Sequence, residues 1–232
     1  VVFDAGQRTF RNDLEPRYKA NRGDPPDDLV PQFDRVQGAA AALGLAVFAV
    51  PGFEADDLAA TLARRGRAAG LGVRLLSVDK DLAQLVRDDA PPVVQEDPWT
   101  GRVWDGAGVR ARMGVDPHQV VCLQSLCGDS TDNIAGVRGV GPKTATALLA
   151  HFGSLDGIYA NLDAVAEVKV RGARTLGPKL EAGRAAAYAT RQLVRLRDDV
   201  PLPVDELAAA TAFDPGRTDP AFLRALGVGD LS

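Results

Sequence analysis

The stretch GDSTDNIAGVRGVGPKTA, residues 128–145, sets two chemistries side by side. Asp129 and Asp132 are three residues apart, so around a turn or helix start they face the same way. A glycine-rich loop follows and opens a helix, with Pro142 at the first helical position and Lys143 next to it. Paired carboxylates suit a hard divalent cation, whereas a glycine loop at a helix N-terminus presents backbone amides to an anion. A phosphodiester is one object that needs both.

The loop GVRGVGPKTA, residues 136–145, is not a dinucleotide fingerprint, because no strand pattern precedes it. It is not a P-loop either, because the Gly-x4-Gly-Lys-Ser/Thr spacing is missing. It fits a helix–hairpin–helix that grips a nucleic-acid backbone. In that reading Gly136, Gly139 and Gly141 let the chain approach, and Arg138, Lys143 and Thr144 add phosphate contacts. A plain turn between two helices is the other reading.

Upstream the pattern changes. VVF at 1–3, LAVFAV at 45–50 and VRLLSV at 73–78 read as buried parallel strands, with PPVVQ at 91–95 a weaker fourth. Helical patterns at 27–43, 55–69 and 80–87 lie between them, the first two ending at Gly44 and Gly70. This alternation predicts an α/β fold with a doubly wound, mostly parallel sheet. EDPWTGRVWD at 96–105 reads as an edge hairpin. From about residue 115 onward the pattern is helical with no strand: DPHQVVCLQSLCG, GPKTATALLAHFG and KLEAGRAAAYATRQLVRLR. The tail from Val200 is richer in proline and acid and is expected to pack loosely.

Each expected strand ends in acid. Asp4 follows the first; Glu54, Asp56 and Asp57 follow the second; Asp79 and Asp81 follow the third. Ligands of open parallel sheets bind outside the carboxyl ends of the strands, so these groups are expected to converge on one rim with Asp129 and Asp132. Taken singly, EADD and DKD could be helix caps worth about 0.3–1 kcal/mol. Taken together they crowd like charges beside a single local cation, Lys80, which calls for metal. Oxygen donors without histidine or thiolate partners point to Mg²⁺ or Mn²⁺, and eight carboxylates suffice for two ions. Two such ions can activate water and stabilise the leaving oxygen of an in-line phosphoryl displacement. His118 and His151 have no paired ligand spacing, and no Ser/His/Asp or Cys/His arrangement competes for the chemistry.

The chain has 232 residues, 46% hydrophobic and 25% charged, and a formal charge of −4. That average hides a polarity. Residues 133–197 hold ten basic and four acidic side chains, a net +6 that leaves −10 for the remainder, and this suits a metal site beside a phosphate-binding surface. No apolar run reaches the roughly 20 residues of a membrane span, and a cytoplasmic location is expected. Cys122 and Cys127 are five apart in one expected helix, about 140° around it, which disfavours a disulfide and reads as core thiols of a reducing compartment.

In order and spacing, VVFDAG…TFR, YKANR, GFEADD, SVDKDLAQLV, GDSTDNIAGVRGVGPKTA and RGARTLGPKLE resemble the bacterial 5′ nuclease (5′–3′ exonuclease) domain of DNA polymerase I, a relative of the flap endonucleases. The resemblance covers roughly residues 1–200. It implies a PIN/5′ nuclease-like core over 1–114 with an arch segment at about 10–30, a helix–hairpin–helix region over 115–200, and a tail or linker over 201–232. It implies hydrolysis of phosphodiesters in flapped, nicked or branched duplex DNA by two Mg²⁺ (or Mn²⁺) ions. Asp4, Glu54, Asp56, Asp57, Asp79, Asp81, Asp129 and Asp132 would be the ligands. It places Tyr18, Lys19 and Arg22 in an arch that contacts the 5′ strand and its scissile phosphate, and Arg11 is similar to a basic family residue nearby. The hairpin from Gly136 to Thr144 would hold duplex backbone, with a monovalent cation such as K⁺ on its carbonyls. A DNA polymerase, attached or separate, is the implied partner in a bacterial cytoplasm. Family members begin with an earlier strand ending in a metal-binding aspartate, whereas this sequence opens at the second family strand, and its only methionine is Met113. A chain lacking that strand is expected to be impaired. A DNA-binding fragment without catalysis, or a PIN-type ribonuclease, are the alternatives.

Overall fold

In the computed structural model the described residues are 1–202 together with Asp219, Ala221 and Ala225; most of the expected tail lies outside them. The chain divides into two compact units, one of Val1–Phe10, Arg22–Arg65 and the described part of Arg197–Ser232, the other of Arg11–Asn21 and Gly66–Leu196.

The first unit is built on two helices. Helix α2 spans Val30–Ala42, carries Pro31 in its first turn and stops before Gly44, whose φ is +78°. Helix α3 spans Ala55–Ala68, with Asp56 and Asp57 in its first turn. Phe48, Leu58, Val200 and Leu202 form the core, flanked by Val2, Ala46, Val50, Phe53 and Leu62. The strands expected at 1–3 and 45–50 shrink to one parallel bridge between Val2 and Phe48. Phe3 N donates to Phe48 O and Phe48 N to Val1 O, each at 2.9 Å. The ladder goes no further because Asp4 turns away to accept a hydrogen bond from Ala55 N at 2.7 Å.

The second unit holds a mixed sheet in the order β1–β2–β3. Strand β1 (Val73–Leu76) pairs in parallel with β2 (Val93–Glu96), and β3 (Val103–Trp104) returns antiparallel to β2 as the edge hairpin. The segment that reads weakest as a strand is thus the central one, because Val93 and Gln95 point alternately into the interior. The helix expected over 80–87 is a single 3-10 turn, Asp81–Leu85. The Asp79 carboxylate accepts from Asp81 N at 2.8 Å, a local turn that competes with a longer helix.

Helices follow. Helix α1 (Phe10–Leu14) carries the chain between the units. Helix α4 (Gly106–Met113) is capped by Asp105, which accepts from Gly108 N, and ended by left-handed Gly114. Helix α5 is Val120–Cys127, α6 Pro142–Phe152, α7 Leu155–Ala160 and α8 Leu176–Val194. Their apolar faces meet in one core that includes Leu126, Val137, Val140, Leu148, Leu155, Ile158 and Leu180. Cys122 and Cys127 both lie on α5 and are free thiols; burial pushes Cys127 up to about 11. One strand pair past residue 115 was not expected: β4 (Gly128–Asp129) with β5 (Ile134–Ala135), antiparallel. It needs the glycines on either side. A Cβ on Gly136 would fall 2.2 Å from the Cys127 carbonyl carbon, and one on Gly128 2.3 Å from Gly136 N. Only bare backbone approaches that closely.

Candidate metal centre and nucleic-acid hairpin

The SVDKD loop leaves the carboxyl end of β1 and is fixed from below by Gln95. That fully buried amide donates to Ser77 O at 2.9 Å and to Asp79 O at 2.6 Å. Asp79 is exposed, while Asp81 turns inward and accepts from Gln124 Nε2 of α5. The β4–β5 turn brings Asp129 and Asp132 to the same place, both buried. Carboxylate oxygens of Asp81, Asp129 and Asp132 lie within 4.8 Å of one another. A set made only of hard oxygen donors, two of three removed from water, fits a divalent cation of the Mg²⁺ class.

Lys80 supplies the local positive charge. Its Nζ donates to Asp129 Oδ2 at 2.6 Å and lies 3.2 Å from Asp81 Oδ1. Burial by itself would lower the ammonium, but the hydrogen bond to Asp129 and the charges of Asp81 and Asp129 outweigh it and raise its pKa. Burial would likewise raise Asp129; the Lys80 bond and charge and the backbone amides of Thr131 and Asp132 hold it below the usual carboxylate range. Asp81 goes the other way. Its burial, with Asp79 adjacent, pushes it up despite Lys80. The two carboxyls share one cation but not one environment.

Residues Arg17–Asn21 are stitched to the loop that carries Asp132. Lys19 N donates to Asp132 O at 2.9 Å, Asn133 Nδ2 to Arg17 O at 2.7 Å and Asn21 Nδ2 to Ser130 O at 3.1 Å. Lys19 and Asn133 adopt left-handed φ of 55° and 57°, and asparagine tolerates that conformation better than most residues. Tyr18 is buried against Ile134, Leu193 and Val194, and its hydroxyl donates to Asp132 Oδ2 at 3.3 Å. Arg11 is also buried. Its Nε donates to Leu193 O at 2.8 Å, so its guanidinium serves the end of α8 rather than an open surface. Arg22 is exposed and belongs to the first unit.

The remaining acids lie in the first unit, at the start of α3. Asp4 accepts from Ala55 N, and Asp57, fully buried, accepts from Glu54 N at 3.2 Å and from Arg197 N at 2.8 Å. Both carboxylates therefore bind backbone amides at a helix N-terminus. Glu54 and Asp56 are half-buried beside them.

In the glycine loop Val137 and Val140 are buried while Arg138, Gly139, Gly141 and Lys143 are exposed and Thr144 is half-buried. Val137 N donates to Leu126 O at 2.8 Å, anchoring the loop to α5. Gly139 has φ +83°, and Gly141 ends the loop in extended conformation, its carbonyl accepting from Thr144 N and Ala145 N. The alternation puts apolar residues inward and presents glycine and cationic positions outward.

Residues 1–114 match the family model described as the 5′–3′ exonuclease N-terminal resolvase-like domain, and residues 115–215 match that of the 5′–3′ exonuclease C-terminal SAM fold. The chain belongs to the 5′–3′ exonuclease family. Among curated relatives, DNA polymerase I of Pseudomonas aeruginosa is 44% identical over 206 residues, covering 88% of this chain and 22% of the relative. DNA polymerase I of Rhizobium leguminosarum is 42% identical over 205 residues, covering 88% and 19%. The chain thus spans about a fifth of the length of these relatives. A solved structure of the bacteriophage T5 flap endonuclease, a pseudo-enzyme–product complex with DNA and metal ions, is 26% identical with TM-score 0.67, covering 97% of this chain and 82% of that one. For a member of this exonuclease family, sequence reasoning overlooked Gln95, Gln124, Asn21 and Asn133, uncharged residues whose partners are remote in sequence. The only sequence signal was that Gln124 interrupts an apolar run.

Proposed function

We propose that this chain is the nuclease part of a DNA polymerase I-like protein, a metal-dependent 5′–3′ exonuclease and 5′-flap endonuclease acting on DNA in a bacterial cytoplasm. The observation that carries the reading is the convergence of Asp81, Asp129 and Asp132 within 4.8 Å, immediately before a glycine hairpin with outward-facing cations. Two Mg²⁺ (or Mn²⁺) ions would supply a nucleophilic water and neutralise charge on the reacting phosphate. Asp81, Asp129 and Asp132 would hold one of them, with Asp79 at the same loop, while Asp4, Glu54, Asp56 and Asp57 are the proposed further ligands.

The chain's own residues do the rest. Gln95 and Gln124 orient the acidic loop, and the Tyr18 hydroxyl fixes the Asp132 carboxylate. Lys80, hydrogen-bonded to Asp129, holds that carboxylate below the usual range. Lys19 and Arg22 are the proposed contacts to the 5′ strand, with Arg11 supporting from inside. Gly136, Gly139 and Gly141 let duplex backbone approach, Arg138, Lys143 and Thr144 bind its phosphates, and the loop carbonyls would accept a monovalent cation such as K⁺.

The test compares a 5′-flap duplex with a single-stranded RNA of equal sequence, each with Mg²⁺ and with EDTA. Cleavage of the flap that needs Mg²⁺ and vanishes in Asp129→Asn is the expected result. Preferential cleavage of the RNA would overturn the reading, and DNA binding without cleavage would reduce it to a binding module.

A further inference from the structure

The hairpin sequence recurs. Val137-Arg138-Gly139 is followed by Gly141-Pro142-Lys143, and Val170-Arg171-Gly172 by Gly177-Pro178-Lys179. The backbone repeats the pattern too. Gly139 and Gly172 are both left-handed, with φ +83° and +77°, and both proline-lysine pairs fall in the first turn of a helix, α6 and α8.

The two loops share one surface. Along α8, Thr190 Oγ1 donates to Ala135 O at 2.7 Å, and a Cβ on Gly183 would lie 2.8 Å from Val137 Cγ1. Lys179 then crosses Gly139, with its Cδ and Nζ 3.6 Å from where a Cβ would be. Positions 190, 183 and 179 are seven and four residues apart, one face of a helix. That face lies antiparallel along residues 135–139, and only glycine at 183 lets it approach so closely. The first turn of α8 is thereby carried up to the hairpin.

The charge there is uncompensated. From Val168 to Leu180 there are four cations, Lys169, Arg171, Arg174 and Lys179, and no acid. All four are exposed, and among the described residues none of them has an ion-pair partner. Further along α8 the situation differs: Arg184 pairs with Glu181 and Arg191 with Asp156. Residues 166 and 168–174 line a shallow open depression of about 530 Å³. Exposed, unpaired cations on a concave surface, without an interleaved acid, match the phosphate backbone of a nucleic acid.

Building on the nuclease reading above, we propose that Lys169, Arg171, Arg174 and Lys179 form a second phosphate contact, continuous with the 136–144 hairpin. It grips the duplex arm of the same DNA farther along than the hairpin does. The contact is positional, not catalytic. It lengthens the duplex footprint and leaves the cut itself untouched.

Binding of 5′-flap DNA in EDTA, with duplex arms of about one and about three helical turns, tests this. The variant Lys169→Ala/Arg171→Ala/Arg174→Ala, which leaves Lys179 over the hairpin in place, is expected to bind the long arm about 10- to 100-fold more weakly. Its slope of log affinity against log salt should fall by about 3, and its binding to the short arm should change less than about 2-fold. Arg184→Ala/Arg191→Ala is the control for charge alone and should leave the long arm unaffected. Lys143→Ala should weaken both arms, which reports the hairpin independently. Unchanged affinity and slope of the threefold variant on the long arm would overturn the proposal while leaving the nuclease reading intact. So would equal losses on both arms, or a larger loss for single-stranded RNA than for duplex. Failure of the unaltered chain to bind either DNA would sink the nuclease reading itself.

Discussion

Lys80→Met tests what holds the acidic cluster together. The ammonium lies 2.6 Å from Asp129 and 3.2 Å from Asp81, and the three carboxylates lie within 4.8 Å of one another. At an effective dielectric of about 20, two full charges 4.8 Å apart repel by about 3.5 kcal/mol. The Lys80 side chain is 44% exposed, so solvent screens much of this, and removing the ammonium is expected to cost about 1–2 kcal/mol without metal. A raised lysine pKa stabilises fully below the unfolded value of 10.5 and is lost only as pH rises through the folded value, so at neutral pH the whole contribution is present. At about 2–4 °C per kcal/mol for a chain of this size, the melting temperature in EDTA should fall by about 2–8 °C. Mg²⁺ competes with the ammonium for the same oxygens. Removing the competitor should therefore tighten Mg²⁺ binding about tenfold, which corresponds to about 1.4 kcal/mol. Scanning calorimetry in EDTA and along a Mg²⁺ titration reads both effects, and methionine keeps the length of the stem. A variant as stable as the parent in EDTA, or one that binds Mg²⁺ no more tightly, would refute the reasoning.

Gly136→Ala drives a Cβ to 2.2 Å from backbone that cannot yield, and should destabilise by more than about 3 kcal/mol in urea unfolding. Gln95→Leu leaves the carbonyls of Ser77 and Asp79 without their donor; it should lose about 1–3 kcal/mol of stability and weaken Mg²⁺ binding, measured by calorimetric titration. Cys127, pushed to about 11 by burial, should alkylate with iodoacetamide at a rate that keeps rising about tenfold per pH unit to about pH 10. Because an acid with a raised folded value loses stability as pH climbs from the unfolded 9.0 toward about 11, Cys127→Ser should show a flatter decline of melting temperature over that window.

Much of the site was legible because its chemistry is local. DKD and GDSTDN are short, and a turn of a few residues suffices to aim their acids; Asp81, Asp129 and Asp132 do meet. Gly136 and Gly139 of the hairpin were legible because close approach at one and a left-handed φ at the other demand glycine, and the two free thiols of α5 followed from helical spacing. Legibility failed where neighbouring residues are remote in the chain. That Asp4 accepts from Ala55 N and Asp57 from Arg197 N was not legible, because these partners lie 51 and 140 residues away. PPVVQ carries a weak strand signal because prolines precede it, but packing makes it the central strand. The echo of VRG and GPK escapes notice because one residue separates the two triplets in the hairpin and four in the second loop.

The sequence by itself determined which groups this protein has to work with: hard carboxylates at strand ends, a glycine hairpin with outward cations, and a basic helical half. Those are properties of residue type and short spacing. Only the tertiary structure decided how they are used. Tyr18 reaches Asp132 across 114 residues and Arg11 reaches Leu193 across 182, and no periodicity encodes such pairs. Likewise, whether a cation on α8 is neutralised, as Arg184 is by Glu181, or stands open beside the hairpin, as Lys179 does, depends on which face of the helix packs against residues 135–139. Charge is written in the chain, but its compensation is set by packing.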